Sequence, residues 1–245
     1  MKNHWLMPGE RLDDLQCKVL QLIQDPKSFC FGMDAVLISY FTKLRRHERV
    51  MDLCTGNGVI PILLAGKNST NHFVALEIQE EAFCRAQRSV QMNGLEDRIA
   101  MIRGDVRECK RIFDPSQFDV VVSNPPYLPA EGLKNPRQDK AISRHEVMLT
   151  LQELMEQTAY LLKPGGRFYM VHRPDRLVDI LSLSRQTRLE AKWMQMVHPR
   201  SDKKPNLVLM QLVKYGRREL KWKEPLFVYD KEGNYTPELL KCYES

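Results

Sequence analysis

The apolar positions of this 245-residue chain follow a repeating pattern from residue 48 onward. Short, mainly apolar runs of four or five residues are typical of strands that are buried on both faces of a sheet. These predicted strands are Val50–Leu53, Phe73–Leu76, Ile99–Ile102, Phe118–Val122 and Phe168–Val171. Segments with a helical period separate them, and such alternation indicates a parallel sheet with helices on both faces.

The segments around and between the predicted strands carry apolar side chains at helical spacing. The predicted helices are Asp34–Leu44, Val59–Ala65, Glu80–Met92, Val106–Ile112, Glu146–Leu162 and Asp175–Arg185. Asp34 has the type of side chain that caps helix N-termini, so we expect it to be the N-cap of the first helix. The Lys163-Pro164-Gly165-Gly166 sequence predicts a turn, because proline and glycine end helices.

The alternation stops after the last predicted helix. Leu189–Val197 and Leu207–Val213 are strand-like and have no helix between them, so they predict an antiparallel hairpin. We therefore predict a main domain at 48–215, a lead-in at 1–47 that caps it, and a polar tail at 216–245 with a turn at Asp230–Gly233. The lead-in pattern fits a short helix and a hairpin equally poorly, and that choice stays open.

Composition narrows the class of protein. The net charge of +6 and the pI of about 9.0 favour an acidic partner such as RNA, although charge alone does not establish one. The six cysteines are scattered, without a Cys-x-x-Cys pair or zinc spacing, and are typical of reduced thiols in the cytoplasm. Neither a signal peptide nor an apolar run of the ~20 residues that a membrane helix requires is present. We expect a soluble cytoplasmic protein without a metal site; its oligomeric state stays open.

A glycine-containing loop follows the first predicted strand of the main domain. The sequence Asp52-Leu53-Cys54-Thr55-Gly56-Asn57-Gly58 stands where strand and helix meet, which is the usual nucleotide position in a doubly wound sheet. Pro61 excludes the dinucleotide G-x-G-x-x-G pattern, and the Gly-Lys-Ser/Thr of a P-loop is lacking. A plain tight turn is the alternative at this point.

Acidic residues follow the next two predicted strands. Glu77 ends the second strand and could accept both hydroxyls of a ribose. Asp105 follows the third strand and could accept from an adenine amino group, although a lone acid there is more often a helix N-cap. Three successive strand ends with suitable groups favour a nucleotide-like cofactor.

The fourth predicted strand runs into Ser123-Asn124-Pro125-Pro126-Tyr127. Together with the loop and the two acids, this motif resembles the class I methyltransferases that act on amine and amide nitrogens, over residues 32–215. The resemblance implies a Rossmann-like α/β fold with a seven-stranded, mostly parallel sheet of order 3-2-1-4-5-7-6 and an antiparallel strand 7. It also implies S-adenosyl-L-methionine as the cofactor. The residues expected to bind that cofactor are Asp52, Thr55, Gly56, Asn57, Gly58, Glu77, Ile78, Asp105, Val106 and Asn124.

The motif has the residue types that methylation of an amine requires. The catalytic set is predicted to be Asn124, Pro125, Pro126 and Tyr127. If the Asn124 side-chain oxygen and the Pro125 carbonyl each accept one N–H, the target nitrogen is held with its lone pair toward the methyl group. The two prolines rigidify the loop, and Tyr127 can stack on a planar base. No strong general base is required, because the methyl donor is already activated.

The motif does not distinguish adenine N6, guanine N2 and the glutamine amide of a release factor, since each is a planar nitrogen with two hydrogens. About fifty residues precede the first strand, too few for the helical domain of the glutamine enzymes, and the duplicated domain common in the guanine-N2 enzymes of ribosomal RNA is absent. Four further segments resemble the bacterial tRNA1(Val) adenine-37 N6-methyltransferases. They are Phe31–Leu37, Ser143–Glu146, Tyr169–Leu177 and Pro205–Leu209. A non-catalytic binding module is the other class, and the intact site residues argue against it.

Basic residues beyond the sheet predict an RNA surface, because phosphate contacts dominate nucleic-acid affinity. The resemblance implies a tRNA as the RNA substrate. The residues expected to contact it are Arg137, Lys140, Arg144, Arg200, Lys203 and Lys204.

Overall fold

The computed structural model describes residues 3–28, 30–126 and 149–244. The strands are β1 (Arg11–Asp14), β2 (Gln21–Gln24), β3 (Arg49–Leu53), β4 (His72–Glu77), β5 (Ile99–Arg103), β6 (Phe118–Ser123), β7 (Leu162–His172), β8 (Leu189–His198), β9 (Leu207–Lys214), β10 (Lys221–Trp222) and β11 (Leu226–Phe227). The helices are α1 (Met33–Phe41), α2 (Val59–Lys67), α3 (Glu80–Met92), α4 (Cys109–Ile112), α5 (Leu151–Leu161), α6 (Leu177–Gln186) and α7 (Pro237–Glu244). In the described residues three single 3-10 turns accompany them, at Asn3–Trp5, Val106–Glu108 and Pro174–Arg176.

The main sheet has the strand order β10-β8-β9-β7-β6-β3-β4-β5, and β11 also pairs with β8. The five adjacent strands β5, β4, β3, β6 and β7 are parallel to one another, whereas β9 is antiparallel to both β7 and β8. Numbered along the chain, the seven long strands have the predicted order 3-2-1-4-5-7-6 with an antiparallel seventh strand, so the fold class is confirmed. The short strands β10 and β11 extend the predicted sheet beyond β8.

Alternate residues of the central strands point into two apolar clusters, one on each face of the sheet. Val50 and Val120 belong to the cluster beneath α1 and α2, and Met51 and Val121 to the cluster beneath α5 and α6. All four side chains are completely buried. Burial of each such side chain stabilises the fold by roughly 1.5–3 kcal/mol, which explains why both faces of the strands are apolar.

The lead-in forms a hairpin of β1 and β2, which resolves the choice that the sequence left open. The hairpin contacts α3 through polar side chains: the Ile23 amide donates to Ser89 Oγ at 3.0 Å, and the Gln21 amide donates to Asn93 Oδ1 at 3.0 Å. Arg88 binds both carboxylate oxygens of Glu10 at 2.6 and 2.7 Å. These bonds attach the N-terminal segment to the main sheet by way of α3.

The predicted start of the first helix was wrong. Helix α1 begins at Met33 with Gly32 as its N-cap and ends at Phe41, so Asp34 lies within the first turn. The Asp34 side chain is directed toward the residue that follows β6, Asn124. Buried residues along α1 pack it against the sheet near β7 and β9.

Two further boundaries differ from the prediction. In the described residues α5 begins at Leu151, because Thr150 and Glu153 form a capping box that fixes the helix start. The Lys163–Gly166 segment is not a separate turn but the irregular first part of β7, where the pairing with β6 jumps from Phe118↔Leu162 to Val120↔Arg167. Gly165 has φ +76° there, which explains the glycine.

The tail adds structure that the sequence did not indicate. Strands β10 and β11 pair with β8, and α7 packs its Leu239 and Cys242 side chains into the cluster beneath α1. The predicted turn at Asp230–Gly233 is confirmed by the hydrogen bond from the Gly233 amide to the Asp230 carbonyl. Among the described residues, every helix is too short or too polar to cross a membrane.

Candidate active site

The predicted site residues lie at the carboxyl ends of neighbouring parallel strands. Loop 54–58 follows β3, Glu77 ends β4 and Asn124 follows β6 directly. Leu53 pairs with Leu76 on one side and with Ser123 on the other, so these three strand ends are level with one another. The Ser123 hydroxyl also donates to the Leu53 carbonyl at 2.8 Å. This edge of a parallel sheet is where ligands of doubly wound folds bind.

Loop 54–58 has a backbone that favours glycine. Gly56 and Gly58 have φ +58° and +80°, the left-handed region in which most side chains are strained. A Cβ atom at Gly58 would lie 3.1 Å from the Ala86 Cβ atom, so this glycine also permits close packing of α2 on α3. A Cβ atom at Gly56 would contact nothing within 4 Å, so the loop is open on that side. Such an open backbone lets a ligand approach closely.

Glu77 supports this loop from the adjacent strand. Its Oε2 atom accepts from the Gly56 amide and its Oε1 atom from the Gln79 amide, both at 2.8 Å. Burial raises the pKa of the Glu77 carboxyl, while these two hydrogen bonds lower it. Each carboxylate oxygen can accept more than one hydrogen bond, so Glu77 has the capacity to bind a diol as well.

Asp52 lies on β3 beside Glu77 and is the most unusual acid of the site. Its side chain is 1% exposed, and within the described residues neither carboxylate oxygen has a hydrogen-bond partner. Burial raises the pKa of Asp52 to about 8, and the charge of Glu77 adds to this rise. The Thr55 hydroxyl is likewise buried without a partner in this part of the structure. Buried acceptors of this kind suit a site that binds a ligand with donor groups.

The other residues predicted to bind cofactor surround these groups. Asp105 lies two residues beyond β5, where it accepts from the Arg107 amide at 2.9 Å and pairs with the Arg107 guanidinium at 2.6 Å. Its carboxylate therefore caps the turn at Val106–Glu108 in this structure, and an adenine contact stays a prediction. Asn57 accepts from Arg85 Nε at 3.2 Å. Ile78 is 42% exposed at the same edge, which leaves an apolar side chain next to Glu77.

Asn124 is held by a residue of the lead-in. Its Nδ2 atom donates to Asp34 Oδ2 at 3.0 Å, and Asp34 Oδ1 accepts from the Ala35 amide at 3.1 Å. Pro125 is buried and Pro126 exposed. Tyr127, Arg137, Lys140 and Arg144 lie outside the described residues, so their roles stay predictions.

The hairpin between β8 and β9 reaches the same edge of the sheet. Strand β8 runs parallel to β7, since both are antiparallel to β9, and its carboxyl end therefore lies on the side of the site. Arg200, Lys203 and Lys204 are exposed in the loop that follows. Among the described residues no group of three or more His, Cys, Asp or Glu side chains is placed to hold a metal ion, and all six cysteines are free.

A sheet of this order, with a glycine loop after its first long strand and an Asn-Pro-Pro motif after its fourth, defines a class I methyltransferase with S-adenosylmethionine as its cofactor. The match to a family model is more specific. The chain belongs to the family of the methyltransferase small domain, whose model matches residues 32–185. Asp52, Thr55, Gly56 and Glu77 fit the cofactor, because they combine an open backbone with buried acceptors for its hydroxyl and amino groups.

Curated relatives cover most of the chain. It is 28% identical over 233 residues to a tRNA1(Val) (adenine(37)-N6)-methyltransferase of Tolumonas auensis, which spans 91% of this chain and 92% of the relative. It is 33% identical over 157 residues to the enzyme of that name from Bacteroides thetaiotaomicron, 64% of this chain and 65% of the relative. The resemblance inferred from the sequence motifs is thus confirmed.

Solved structures support the fold. A predicted O-methyltransferase from Agrobacterium tumefaciens superimposes with a TM-score of 0.71 at 20% identity, covering 86% of this chain and 95% of that one. TrmN from Thermus thermophilus superimposes with a TM-score of 0.53 at 19% identity, covering 74% and 48%.

Two residues at this site were not predicted from the sequence, Asp34 and Arg85. Asp34 was assigned to a helix cap, and its contact with Asn124 joins positions ninety residues apart. Arg85 was read only as part of a helix, although its contact with Asn57 lies next to the cofactor loop. The sequence around Asp34 is explained by a helix start, and that around Arg85 by a helix. The contacts of these two residues with the site are visible only in the three-dimensional structure.

The Glu77 geometry predicts a specific loss of cofactor affinity. Glu77→Ala should bind S-adenosylmethionine about 10- to 10²-fold more weakly if, as predicted, Glu77 makes charge-assisted hydrogen bonds to the ribose. Titration calorimetry with the cofactor and with its 2′,3′-dideoxy analogue tests this assignment. The analogue should bind parent and variant with similar affinity, and the exposed Glu81→Ala should match the parent. An equal loss for both ligands would show that Glu77 acts on the loop and not on the ribose.

Proposed function

We propose that this protein is an S-adenosylmethionine-dependent tRNA methyltransferase that modifies adenine N6, of the tRNA1(Val) adenine-37 type. The observation that carries the proposal is the position of Asn124, which follows β6 beside the cofactor loop and has its amide nitrogen bound to Asp34. The names of the relatives that span most of the chain support the RNA target.

The residues of this chain have defined tasks in the reaction. S-adenosylmethionine supplies a methyl group on a cationic sulfur, which needs no further activation. Asn124 Oδ1 and the Pro125 carbonyl accept the two hydrogens of the target amine, which directs its lone pair toward the methyl group. Tyr127 stacks on the unpaired base. The proton leaves to water after transfer, because the methylated amine is then a strong acid.

A direct assay separates the candidate substrates. The protein is incubated with labelled S-adenosylmethionine and with unmodified tRNA, ribosomal RNA or a release factor, and the products are digested and analysed by mass spectrometry. N6-methyladenosine in the tRNA is the expected product. N2-methylguanosine, or label on a glutamine of the release factor, would retain the mechanism and overturn the substrate. Absence of transfer to all three would overturn the function.

The surface next to the site has the chemistry of an RNA contact. Arg200, Lys203 and Lys204 project from the loop after β8. The Tyr229 amide donates to the Pro199 carbonyl at 2.9 Å, which places the partly exposed, stacked rings of Tyr229 and Tyr235 beside this loop. Cationic side chains next to exposed aromatic rings bind phosphates and unpaired bases. A tRNA substrate and a cytoplasmic location follow from this proposal.

Charge reversal tests this surface. Replacement of Arg200, Lys203 and Lys204 by Glu should reduce tRNA affinity by about 10-fold or more and flatten its salt dependence, because fewer counterions are released. Filter binding at several salt concentrations measures both effects, and S-adenosylmethionine affinity should not change. The matched control reverses Lys18, Arg45 and Arg46, which are exposed toward the opposite edge of the sheet. If the control weakens tRNA binding equally, net charge and not this loop is responsible.

A further inference from the structure

The proposed role of Asn124 raises a question of orientation. An asparagine amide carries an oxygen that only accepts and an NH2 group that only donates, and the two are nearly identical in size. A rotation of the amide by half a turn exchanges them. Only the oxygen can accept a hydrogen of the target amine, so a catalytic Asn124 requires a partner that selects one of the two orientations.

Asp34 has the properties of that partner. A carboxylate accepts hydrogen bonds and does not donate them, so the 3.0 Å contact between Asp34 Oδ2 and Asn124 fixes the NH2 group on the Asp34 side. The Asn124 oxygen is then directed away from Asp34. A carboxylate acceptor also makes this bond stronger than a neutral one.

The local backbone holds the Asp34 carboxylate in place. Its other oxygen accepts from the Ala35 amide at 3.1 Å. A Cβ atom at Gly32 would lie 2.8 Å from the same oxygen, so the glycine leaves the space that the carboxylate occupies. Helix α1, which carries Asp34, is anchored by buried side chains from Ala35 to Phe41. The acceptor that faces Asn124 is therefore supported from its own helix.

We propose that Asp34 is a positioning residue that sets the orientation of the Asn124 amide for methyl transfer. The proposal rests on the proposed function, since it assigns Asp34 a role only through Asn124. It makes the lead-in helix a part of the catalytic arrangement and gives the Gly32-Met33-Asp34 sequence a function distinct from helix capping.

The substitution Asp34→Asn tests orientation without a change of shape. Because the Ala35 amide needs an acceptor, the oxygen of the introduced asparagine should keep that contact, and its NH2 group should then face Asn124. Two NH2 groups cannot bond to each other, so the Asn124 amide rotates and presents its own NH2 group to the target. We expect the single-turnover rate at saturating cofactor and tRNA to fall about 10- to 10²-fold. Cofactor and tRNA affinities should remain near those of the parent.

The decisive experiment exchanges the two side chains, so that asparagine stands at position 34 and aspartate at position 124. Asn124→Asp alone places two carboxylates against each other and should also be slow. In the double variant Asp34→Asn/Asn124→Asp, the NH2 group of the introduced asparagine donates to one oxygen of the introduced aspartate and leaves the other oxygen as an acceptor for the amine. The double variant should recover to within about 10-fold of the parent and be faster than either single variant. Asp14→Asn, the same substitution at an exposed position of the lead-in, is the matched control.

The outcomes separate this proposal from the proposed function. A double variant that is as slow as the slower single variant, or slower, would overturn the orientation role, since a merely structural contact predicts additive losses. A parent-like Asp34→Asn together with a slow Asn124→Ala would overturn it and leave the function intact. If Asn124→Ala keeps the parent rate, the catalytic mechanism itself is wrong. Circular dichroism and cofactor affinity identify any variant that fails to fold, and the double variant then carries the test.

Discussion

Asn124→Ala is expected to slow methyl transfer at saturating cofactor by about 10²–10³-fold, or about 3–4 kcal/mol, while the fold is retained. The reason is geometric. The alanine removes the acceptor that holds one hydrogen of the target amine, and the nitrogen lone pair is then no longer directed toward the methyl group. The loss should appear in the chemical step, since the base can still be held by the surrounding loop.

Single-turnover transfer to unmodified tRNA, at saturating cofactor and RNA, measures that step directly. Asn68→Ala is a suitable control, because Asn68 is the C-cap of α2, at the opposite end of that helix from the cofactor loop. Among the described residues its side chain bonds only locally, to the Leu64 carbonyl. A parent-like rate for Asn124→Ala would refute the orientation of the amine by this residue. A loss confined to tRNA affinity would assign Asn124 to substrate capture.

The second large effect concerns stability and not turnover. In the absence of cofactor, the contribution of Asp52 to the free energy of unfolding should fall as the pH rises from about 4 to 8, and this fall should be absent in Asp52→Asn. The pKa of Asp52 is raised to about 8 in the folded protein by burial, well above the value near 3.9 of an unfolded chain. Between these two pKa values Asp52 is protonated in the folded protein and ionised in the unfolded chain. The stabilisation that Asp52 contributes is therefore fully present below its pKa in the unfolded chain, and it is lost as the pH rises through its pKa in the folded protein.

The size of the effect makes it measurable. One pKa unit corresponds to about 1.4 kcal/mol, so the loss across the window is on the order of 5 kcal/mol. Urea unfolding of parent and variant at pH 5 and pH 8 gives the difference, in which other titrating groups such as Glu77 largely cancel. The exposed Asp97→Asn serves as the control. Equal pH dependence in parent and Asp52→Asn would mean that Asp52 is ionised or hydrated in the folded protein.

The positions of site residues were predicted best where a polar side chain stands at the end of an apolar strand. Glu77 and Asn124 follow runs that can only be buried, so their position at one edge of the sheet follows from parallel topology. The strand order was obtained from a family resemblance, because apolar runs do not specify which strands are neighbours. The hairpin of β8 and β9 was an exception, since a short loop leaves few other pairings.

The features that were missed depend on contacts between distant segments. The Asp34–Asn124 hydrogen bond joins a helix start to a strand end, and neither local sequence indicates that the two are in contact. The strands β10 and β11 have two residues each, too few to show a period, and they form because β8 offers them a partner. Neither kind of contact leaves a pattern along the chain.

These two short strands also have a consequence for the behaviour of the protein in concentrated solution. Without them β8 would be the last strand of the sheet, and an unpaired strand of ten residues is a template for the strand of another molecule. Strands β10 and β11 occupy that edge in two short pieces, separated by the segment that contains Pro225. A broken edge with a proline gives an incoming strand little to pair with, so the tail protects the folded protein against edge-to-edge aggregation.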